Sequence, residues 1–441
     1  MSPIYRRYAL AALTAIYVLN LADRMLMMLL LQPIKEDLGL SDTQLGFVTG
    51  IAFGLFYATV GVPIARWADR GNRVTIASLA IGLWGMTVMA CVLVTNYTHL
   101  VFARIAAAVG ESGCKPPTYS LVGDYFPRPQ ERTRAMSMYW LGAPLASLLT
   151  FTLGGWLNGQ VGWRMTFFLM GIPGLALALL VKLTIVEPRT QATVQTRPVP
   201  PISAVMSVLW HQQSCRHLSI ALVLFYTLGF GMAPWYAAFL MRSHGMVTSE
   251  VGIWLGLIFG LGGIAGVLLG GYVSTRWFAD DEPGQMRMSA ATAALIVPCF
   301  IAFLTLPHKQ HALMALMPLI VVFNVFLAPA YALLQRLVAD EMRATVMAIV
   351  MLLVNLIGMG IGPQLVGVLS DALMPFLGTD SLRYAMLTLS FVAFLAAYHF
   401  WRVGQSVRSD LATRETSWST QISSPLPVAE RIGSSEASCR Q

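Results

Sequence analysis

The sequence predicts an all-α integral membrane protein with twelve transmembrane helices in two pseudo-symmetric six-helix bundles. The first observation is composition, since 56% of the 441 residues are hydrophobic and 11% are charged, against about 25% charged residues in a typical soluble domain. The second is the recurrence of apolar segments along almost the whole chain. The third is a faint internal repeat that relates the two halves.

Each apolar segment is long enough to cross a hydrocarbon core of about 30 Å. The first one is too long, and too interrupted by charge, for a cleaved signal peptide. The twelve predicted spans are residues 8–32, 43–65, 74–95, 99–122, 136–157, 164–186, 217–240, 250–274, 287–306, 312–335, 345–370 and 382–403.

These spans divide the chain into an N-terminal bundle, residues 1–186, and a C-terminal bundle, residues 216–403. Residues 187–215 lose the apolar pattern and gain prolines, which predicts a linker on the cytoplasmic surface. Residues 404–441 are polar, rich in serine and without periodicity. That composition predicts a disordered cytoplasmic tail.

Positive charge is concentrated in the loops of one parity, and cytoplasmic loops retain such charge. We therefore expect both termini to be cytoplasmic and the protein to lie in the cell membrane as a multi-pass monomer. The net charge of +8 is explained by this topology and does not indicate a nucleic-acid partner. The five cysteines show no paired or metal-ligand spacing, so no disulfide framework, metal or cofactor is expected.

The internal repeat lies in the loops. "ERTRAMSM" follows the fourth span and "DEMRATVM" follows the tenth, at an offset of 209 residues. "ARWADR" follows the second span and "TRWFAD" follows the eighth, at an offset of 210. Parallel halves of this kind place a substrate site near the bilayer midplane between them.

The loop "ARWADRGNR", residues 65–73, resembles the Gly-x-Leu-Ala-Asp-Arg-x-Gly-Arg-Arg signature of the major facilitator superfamily. The resemblance implies that Asp69 faces the start of the eleventh helix and that Arg70 and Arg73 pair with acids on the same membrane face. These residues, with Arg134 in the loop after the fourth span, would form a cytoplasmic gate. The alternative is that the arginines obey only the topology rule.

Three motifs resemble the Spinster-like transporters within that superfamily, which are associated with export of sphingosine phosphate and lysophospholipids. The first is Asn20, Asp23 and Arg24 in the first span. The second is Gly110 and Glu111 in the fourth span, and the third is "GIGPQLVGVLSD", residues 360–371. The resemblance implies a lipid-like substrate.

Charged residues inside the first and fourth spans are candidate site residues. A charge at the bilayer centre costs about 2.5 to 3.5 kcal/mol on insertion scales, so such residues face a cavity or a partner. Helical spacing places Tyr17, Asn20, Asp23 and Arg24 on one face of the first span, and Arg104, Glu111 and Lys115 on one face of the fourth.

Asp23 and Glu111 are the candidates for proton coupling. Burial disfavours a charged carboxylate and a nearby cation favours it, so their protonation would change as water access changes sides. The alternative is permanent ion pairing, of Asp23 with an arginine and of Glu111 with Lys115 at the i, i+4 spacing. Because Arg24, Arg104 and Lys115 outnumber the two acids, we expect an anionic head group to bind.

The second half offers aromatic and amide side chains instead of charges. The seventh span is interrupted by Gly229, Gly231 and Pro234, as discontinuous helices at transport sites are. Aromatic packing is the alternative. The candidate substrate residues in this half are Tyr226, Trp235, Asn324 and Asn355.

No Walker-type glycine-rich loop or nucleophile elbow occurs in the sequence, which argues against ATP drive and against an enzyme. The sequence predicts a secondary transporter of a small or amphipathic organic anion, coupled to protons, that works by alternating access. Its expected partners are this small or lipid-like substrate, protons and membrane lipids. A multidrug-type exporter and a non-transporting sensor of the same fold are the alternatives.

Overall fold

The computed structural model describes residues 2–188, 201–278, 281–325, 327–339 and 341–423, and it is helical almost throughout. In the first half the helices are α1 (Pro3–Leu38), α2 (Asp42–Thr49), α3 (Ile51–Arg70), α4 (Arg73–Ala90), α5 (Tyr97–Ser112), α6 (Lys115–Tyr125), α7 (Pro129–Trp140) and α8 (Gly142–Thr184). In the linker and the second half they are α9 (Ile202–His211), α10 (Gln213–Met232), α11 (Tyr236–His244), α12 (Thr248–Trp277), α13 (Glu282–Thr305), α14 (Lys309–Val325), α15 (Leu327–Leu337), α16 (Arg343–Leu353), α17 (Gly362–Leu377), α18 (Ser381–Ser390) and α19 (Val392–Ser423).

The described helices are consistent with twelve crossings. Nine helical segments within the described ranges are long and apolar enough to span a membrane. Two of them, Pro129–Thr184 with 56 residues and Thr345–Ala412 with 68, are each long enough for two crossings. The predicted fourth span adds one more as α5 followed by α6. The fold is therefore the predicted all-α membrane architecture.

Gly162 separates the fifth and sixth crossings inside α8. Its backbone has φ 74° and ψ 169°, which are not helical values. A residue with a Cβ is strained at this positive φ, whereas glycine is not. The chain can therefore reverse direction between the predicted spans 136–157 and 164–186.

Polar caps fix where several crossings begin. Ser41 Oγ accepts a hydrogen bond from the Gln44 amide at 3.1 Å, and Gln44 Oε1 accepts one from the Ser41 amide at 3.0 Å. Asn72 Oδ1 accepts from the Thr75 amide at 2.8 Å at the start of α4. Each cap satisfies an amide at a helix start that has no partner within the helix.

Two crossings of the second half are irregular. The seventh is broken as predicted, because α10 ends at Met232 and a 3₁₀ turn, Ala233–Trp235, precedes α11. The eleventh contains a π-helical segment, Val354–Ile361, between α16 and α17. Such segments are frequent at functional sites.

The predicted start of a disordered tail at residue 404 is wrong, because α19 continues to Ser423. Val403 and Val407 are fully buried on one face of it, and Asp410 Oδ2 accepts a hydrogen bond from the Ser214 amide at 2.8 Å. The polar composition of residues 404–441 gave no indication of this short buried face of Val403 and Val407. Residues 424–441, and residues 189–200 of the predicted linker, lie outside the described part of the chain.

The two halves meet where glycines let helix backbones approach. A Cβ on Gly155 of α8 would lie 2.8 Å from the Thr248 carbonyl oxygen of α12. A Cβ on Gly46 of α2 would lie 2.7 Å from the Pro363 carbonyl oxygen of α17. Small residues at such contacts are typical of membrane helix packing.

Candidate functional site

Two buried ion pairs connect α1 to α5. Arg104 Nη1 lies 2.5 Å from Asp23 Oδ2, and Arg24 Nη2 lies 2.7 Å from Glu111 Oε2. The pairing is crossed, because each acid pairs with an arginine of the other helix. The alternative i, i+4 pair of Glu111 with Lys115 is not formed, since the helix is interrupted between α5 and α6.

Arg24 is the most accessible of the four paired side chains. Its side chain is 14% exposed, against 4% for Arg104, 1% for Asp23 and 0% for Glu111. Asn20 supports the same arrangement, because its Nδ2 donates to the Glu111 carbonyl oxygen at 3.0 Å. Arg24 is therefore the paired charge best placed to meet a ligand.

Two aromatic rings of α3 lie against the guanidinium groups. Arg24 Cζ lies 4.7 Å from the Phe53 ring centroid and 4.4 Å from the Tyr57 centroid, and Arg104 Cζ lies 4.8 Å from Phe53. Ring faces attract cations, more strongly where water is excluded. Neither residue was predicted from the sequence. Their i, i+4 spacing in the second span, which places both rings on one helix face, was the pattern that could have identified them.

One contact links this cluster to the second half. Arg24 Nη1 lies 3.1 Å from the Met359 sulfur, and Met359 belongs to the π-helical segment Val354–Ile361. The sequence analysis missed Met359 as well, because nothing in an apolar run marks one methionine as the residue that meets a charge.

Each of the two acids uses only one carboxylate oxygen. Among the described residues, Asp23 Oδ1 and Glu111 Oε1 are buried and have no hydrogen-bond partner. A buried oxygen without a partner is costly, and a proton placed on it would remove the buried charge. The geometry therefore leaves a place for a proton on both acids.

Lys115 is the cation in excess. Its Nζ lies 5.8 Å from the Tyr17 ring centroid, and no carboxylate of the described residues lies within 4.0 Å of it. Tyr17 is 4% exposed and stacks on Tyr139, with ring centroids 4.7 Å apart. Each ion pair joins one positive and one negative side chain and carries no net charge. The net positive charge of the site is therefore that of Lys115.

Trp235 and Asn324 make packing contacts in this conformation. Trp235 is 0% exposed, and its Nε1 donates to the Pro363 carbonyl oxygen at 3.3 Å. Asn324 Nδ2 donates to the Ile320 carbonyl oxygen of its own helix at 2.8 Å. Trp235 thus connects two helices of the second half and has no surface for a ligand here.

Tyr226 and Asn355 are half-buried. The Tyr226 ring centroid lies 5.2 Å from that of Phe230 and 6.4 Å from that of Tyr331. Asn355 belongs to the same π-helical segment as Met359. Tyr226 therefore lies among aromatic rings, and Met359 of the π-helical segment contacts the charged cluster.

Arg73 is the centre of an ion-pair network on one membrane face, which we call the Arg73 face. Its side chain is 1% exposed and pairs with Glu187 and, at 2.6 Å, with Asp124. Its Nη1 also donates to Ser120 Oγ at 2.6 Å. This is the pairing with acids that the sequence predicted for Arg73.

Two further predicted gating residues, Arg70 and Arg134, show no ion pair within the described part of the chain. Both side chains are exposed. The expected pairing of Arg70 with an acid therefore stays a prediction. The side chain of Asp69 lies outside the described part of the structure.

Asp42 is the centre of a second network on the opposite face, which we call the Asp42 face. Arg242 of α11 donates to both of its oxygens, at 2.7 and 2.8 Å. Lys35 Nζ lies 2.6 Å from Asp42 Oδ1, and Ser370 Oγ donates to Oδ2 at 2.6 Å. Asp42 is 2% exposed, so this network is a buried connection between the halves.

Asp371 reinforces the same connection from α17. Its two oxygens accept hydrogen bonds from the backbone amides of Asp42, at 3.0 Å, and Thr43, at 2.7 Å. A carboxylate at a helix N-terminus satisfies free amides and is favoured by the helix dipole. The sequence analysis missed this role of Asp371, although it noted the motif that ends in it.

The polar contacts between the halves that the described residues show lie at the Asp42 face and at Arg24. The structure thus shows a conformation that is closed at the Asp42 face.

A family model of the Major Facilitator Superfamily matches residues 13–363. An MFS-type efflux pump of Mycolicibacterium smegmatis is 32% identical over 410 residues, which cover 91% of this chain and 94% of that protein. Protein spinster homolog 1 of Xenopus laevis is 25% identical, with 97% of this chain and 86% of that protein covered.

A solved structure with a similar fold is that of a bacterial homologue of the human lysosomal transporter Spinster, in an inward-facing and unoccupied conformation. It superposes with a TM-score of 0.82 at 28% identity, and the match covers 93% of this chain and 99% of that chain.

Proposed function

The chain belongs to the major facilitator superfamily, and from that premise we propose that it is a proton-coupled secondary transporter of a small or amphipathic organic anion. Transport as such follows from the family match over residues 13–363 and from the transporters with similar sequence and fold. The chain is accordingly a transporter and not an enzyme. The anionic substrate and the proton coupling are proposed from the charged side chains of the site.

The observation that carries the anionic substrate is the uncompensated Lys115. The charges cancel within each ion pair, whereas Lys115 has no carboxylate partner among the described residues. A cation in a water-poor site attracts an anionic group strongly. Carboxylate-bearing and phosphate-bearing head groups both meet this requirement.

The pair formed by Arg24 and Glu111 supports the proposal of proton coupling. When Glu111 takes up a proton, it loses the charge that holds Arg24, and the partly exposed guanidinium can turn to a substrate anion. The substrate and the ionised Glu111 then compete for one cation. Asp23 would act on Arg104 in the same way, with less access to solvent because both side chains are almost fully buried.

The contact between Arg24 and Met359 links this event to the movement of the halves. If Arg24 turns away from Glu111, its contact with the π-helical segment changes as well. Tyr226, Asn324 and Asn355 would bind the apolar or polar remainder of the substrate from the second half. A charged half facing a neutral aromatic half suits an amphipathic anion.

We assign the Arg73 face to the cytoplasm, because arginines concentrate in its loops. The conformation closed at the Asp42 face is then inward-facing, like the similar Spinster homologue. Asp69, Arg70 and Arg134 would engage when the cytoplasmic side closes. Arg73 would anchor that gate through the pairs it already makes.

A second candidate function is export of diverse drugs, because the Mycolicibacterium relative is named an MFS-type efflux pump, a name that states no substrate. A site for cationic drugs needs a carboxylate that is free to pair with the drug. Both membrane carboxylates are paired with arginines here. The pairing of both carboxylates therefore favours an anionic substrate over a cationic drug.

Counterflow in proteoliposomes tests the proposal, with labelled lysophosphatidylglycerol, D-glucarate and ethidium as probes. We expect counterflow of at least one anion, and a loss of about tenfold in its apparent affinity in Lys115→Gln, which corresponds to about 1.4 kcal/mol. Arg276→Gln is the matched control, since Arg276 is an exposed arginine at the end of α12. Counterflow of ethidium without either anion would overturn the proposal in favour of drug export.

A further inference from the structure

A groove of about 790 Å³ lies on the outside of the first half, away from the charged cluster. Its walls are α1 on one side and α7 and α8 on the other. Leu145 and Leu149 of α8 are 45% and 41% exposed beside it. The groove therefore opens toward the lipid rather than toward the site between the halves.

The groove is apolar except at one end. Arg7 lies at the Arg73 face end, is exposed and has no ion pair among the described residues. Its neighbour Arg6 is different, because it pairs with Glu131. The remaining polar group, the Thr14 hydroxyl, donates to the Leu10 carbonyl oxygen at 2.8 Å. The groove thus presents a single unpaired cation.

The length of the groove fits one lipid leaflet. Its wall on α1 runs from Arg7 to Leu19, a rise of about 18 Å at 1.5 Å per residue. That is a little over half of a hydrocarbon core of about 30 Å. An acyl chain that starts at Arg7 would end near the middle of the bilayer.

We propose that this groove binds one acyl chain of an anionic phospholipid, whose phosphate pairs with Arg7. An apolar groove inside a bilayer cannot hold ordered water, because it offers water no polar partners. A guanidinium binds phosphate through charge-assisted hydrogen bonds. The lipid is a bound component and not the transported substrate, so this inference stands apart from the proposed function.

Native mass spectrometry of the purified full-length protein tests the site, with phosphatidylglycerol and phosphatidylcholine of identical chains as probes. We expect one phosphatidylglycerol site whose affinity falls about fivefold in Arg7→Gln, as for loss of one basic residue at an anionic membrane surface. Phosphatidylcholine binding should fall less, because the choline cation of that lipid offsets the charge of its phosphate. Arg276→Gln is the control for charge and should keep both affinities.

A second variant tests the groove itself. Ala11→Phe fills it from α1 and should weaken binding of both lipids, whereas Ala291→Phe, at another exposed position, on α13, should weaken neither. Equal phosphatidylglycerol binding by Arg7→Gln and Arg276→Gln would overturn the proposal. A dimer in the wild type that disappears in Ala11→Phe would also overturn it, because the groove would then hold a second copy of the chain.

Discussion

Asp23 and Arg104 form the most deeply buried ion pair of the site, with side-chain exposures of 1% and 4%. Such a pair contributes little net stability, since the cost of desolvating both groups offsets their attraction. Removing one partner is different, because it leaves a buried charge without compensation. Loss of either side chain alone is therefore expected to destabilise the protein more than loss of both together.

This dependence predicts that Asp23→Asn destabilises the protein by about 3 to 5 kcal/mol, and that adding Arg104→Gln restores part of the loss. Thermal unfolding of the purified single and double variants measures the coupling. Asp37→Asn is the control, because Asp37 is exposed and its pair with Arg164 lies at the surface. Strictly additive losses from Asp23→Asn and Arg104→Gln would contradict the pairing.

The sequence predicted which residues of the first half carry charge into the membrane, since charges in apolar spans stand out. It did not predict their partners. Whether Glu111 meets Lys115 on its own helix or Arg24 on another depends on the break between α5 and α6 and on how α1 lies against α5. Phe53 and Met359 were missed because apolar residues at a site look like any others in a span.

At the scale of helices, α2, α11 and α17 hold the Asp42 face closed. One side chain, Asp42, accepts from Arg242, Lys35 and Ser370, while Asp371 caps the helix that Asp42 begins. Hydrogen bonds to charged groups contribute about 1.5 to 3 kcal/mol each. Closure of this face therefore depends strongly on one carboxylate.

Asp42→Asn should shift the protein toward conformations that are open at the Asp42 face, by roughly 1.5 kcal/mol or more. Spin labels are attached to Gln160→Cys and Thr379→Cys, exposed positions in different halves, in a protein without native cysteines. Double electron–electron resonance then measures the distance between the two labels. The expected result is a larger population at long distance.

Asp37→Asn is the matched control for this shift. Asp37 is a carboxylate on the same face, but its partner Arg164 belongs to its own half. Its loss should leave the distances unchanged. Identical distance distributions in Asp42→Asn and the unmodified protein would show that the Asp42 network does not hold the face closed.

Hydropathy was enough to place the helices, and Gly229, Gly231 and Pro234 together predicted the break in the seventh crossing. The connections at the Asp42 face could not be predicted in the same way, because Asp42 meets residues about 200 and 330 positions away in the chain. The buried stripe of α19 was missed for another reason. Val403 and Val407 are too few to produce a visible period in a polar segment.

For the whole molecule, the internal repeat predicted two similar halves, but their chemistry differs. The first half supplies the buried charges, and the second supplies Met359, aromatic rings and amides. The Asp42 network closes one face, while Arg24 contacts Met359 of the other half within the membrane-spanning helices. In the proposed function, a change in the charge of Glu111 connects substrate binding to movement of the halves through Arg24.

The most direct test of this account is proton-driven transport by Glu111→Gln in proteoliposomes, compared with counterflow by the same variant. Gln keeps the shape of Glu111 and matches its protonated form, so we predict that transport driven by a proton gradient is lost while counterflow of the anion persists. Transport by Glu111→Gln at the unmodified rate and with unchanged pH dependence would contradict the assignment of Glu111 as the proton carrier.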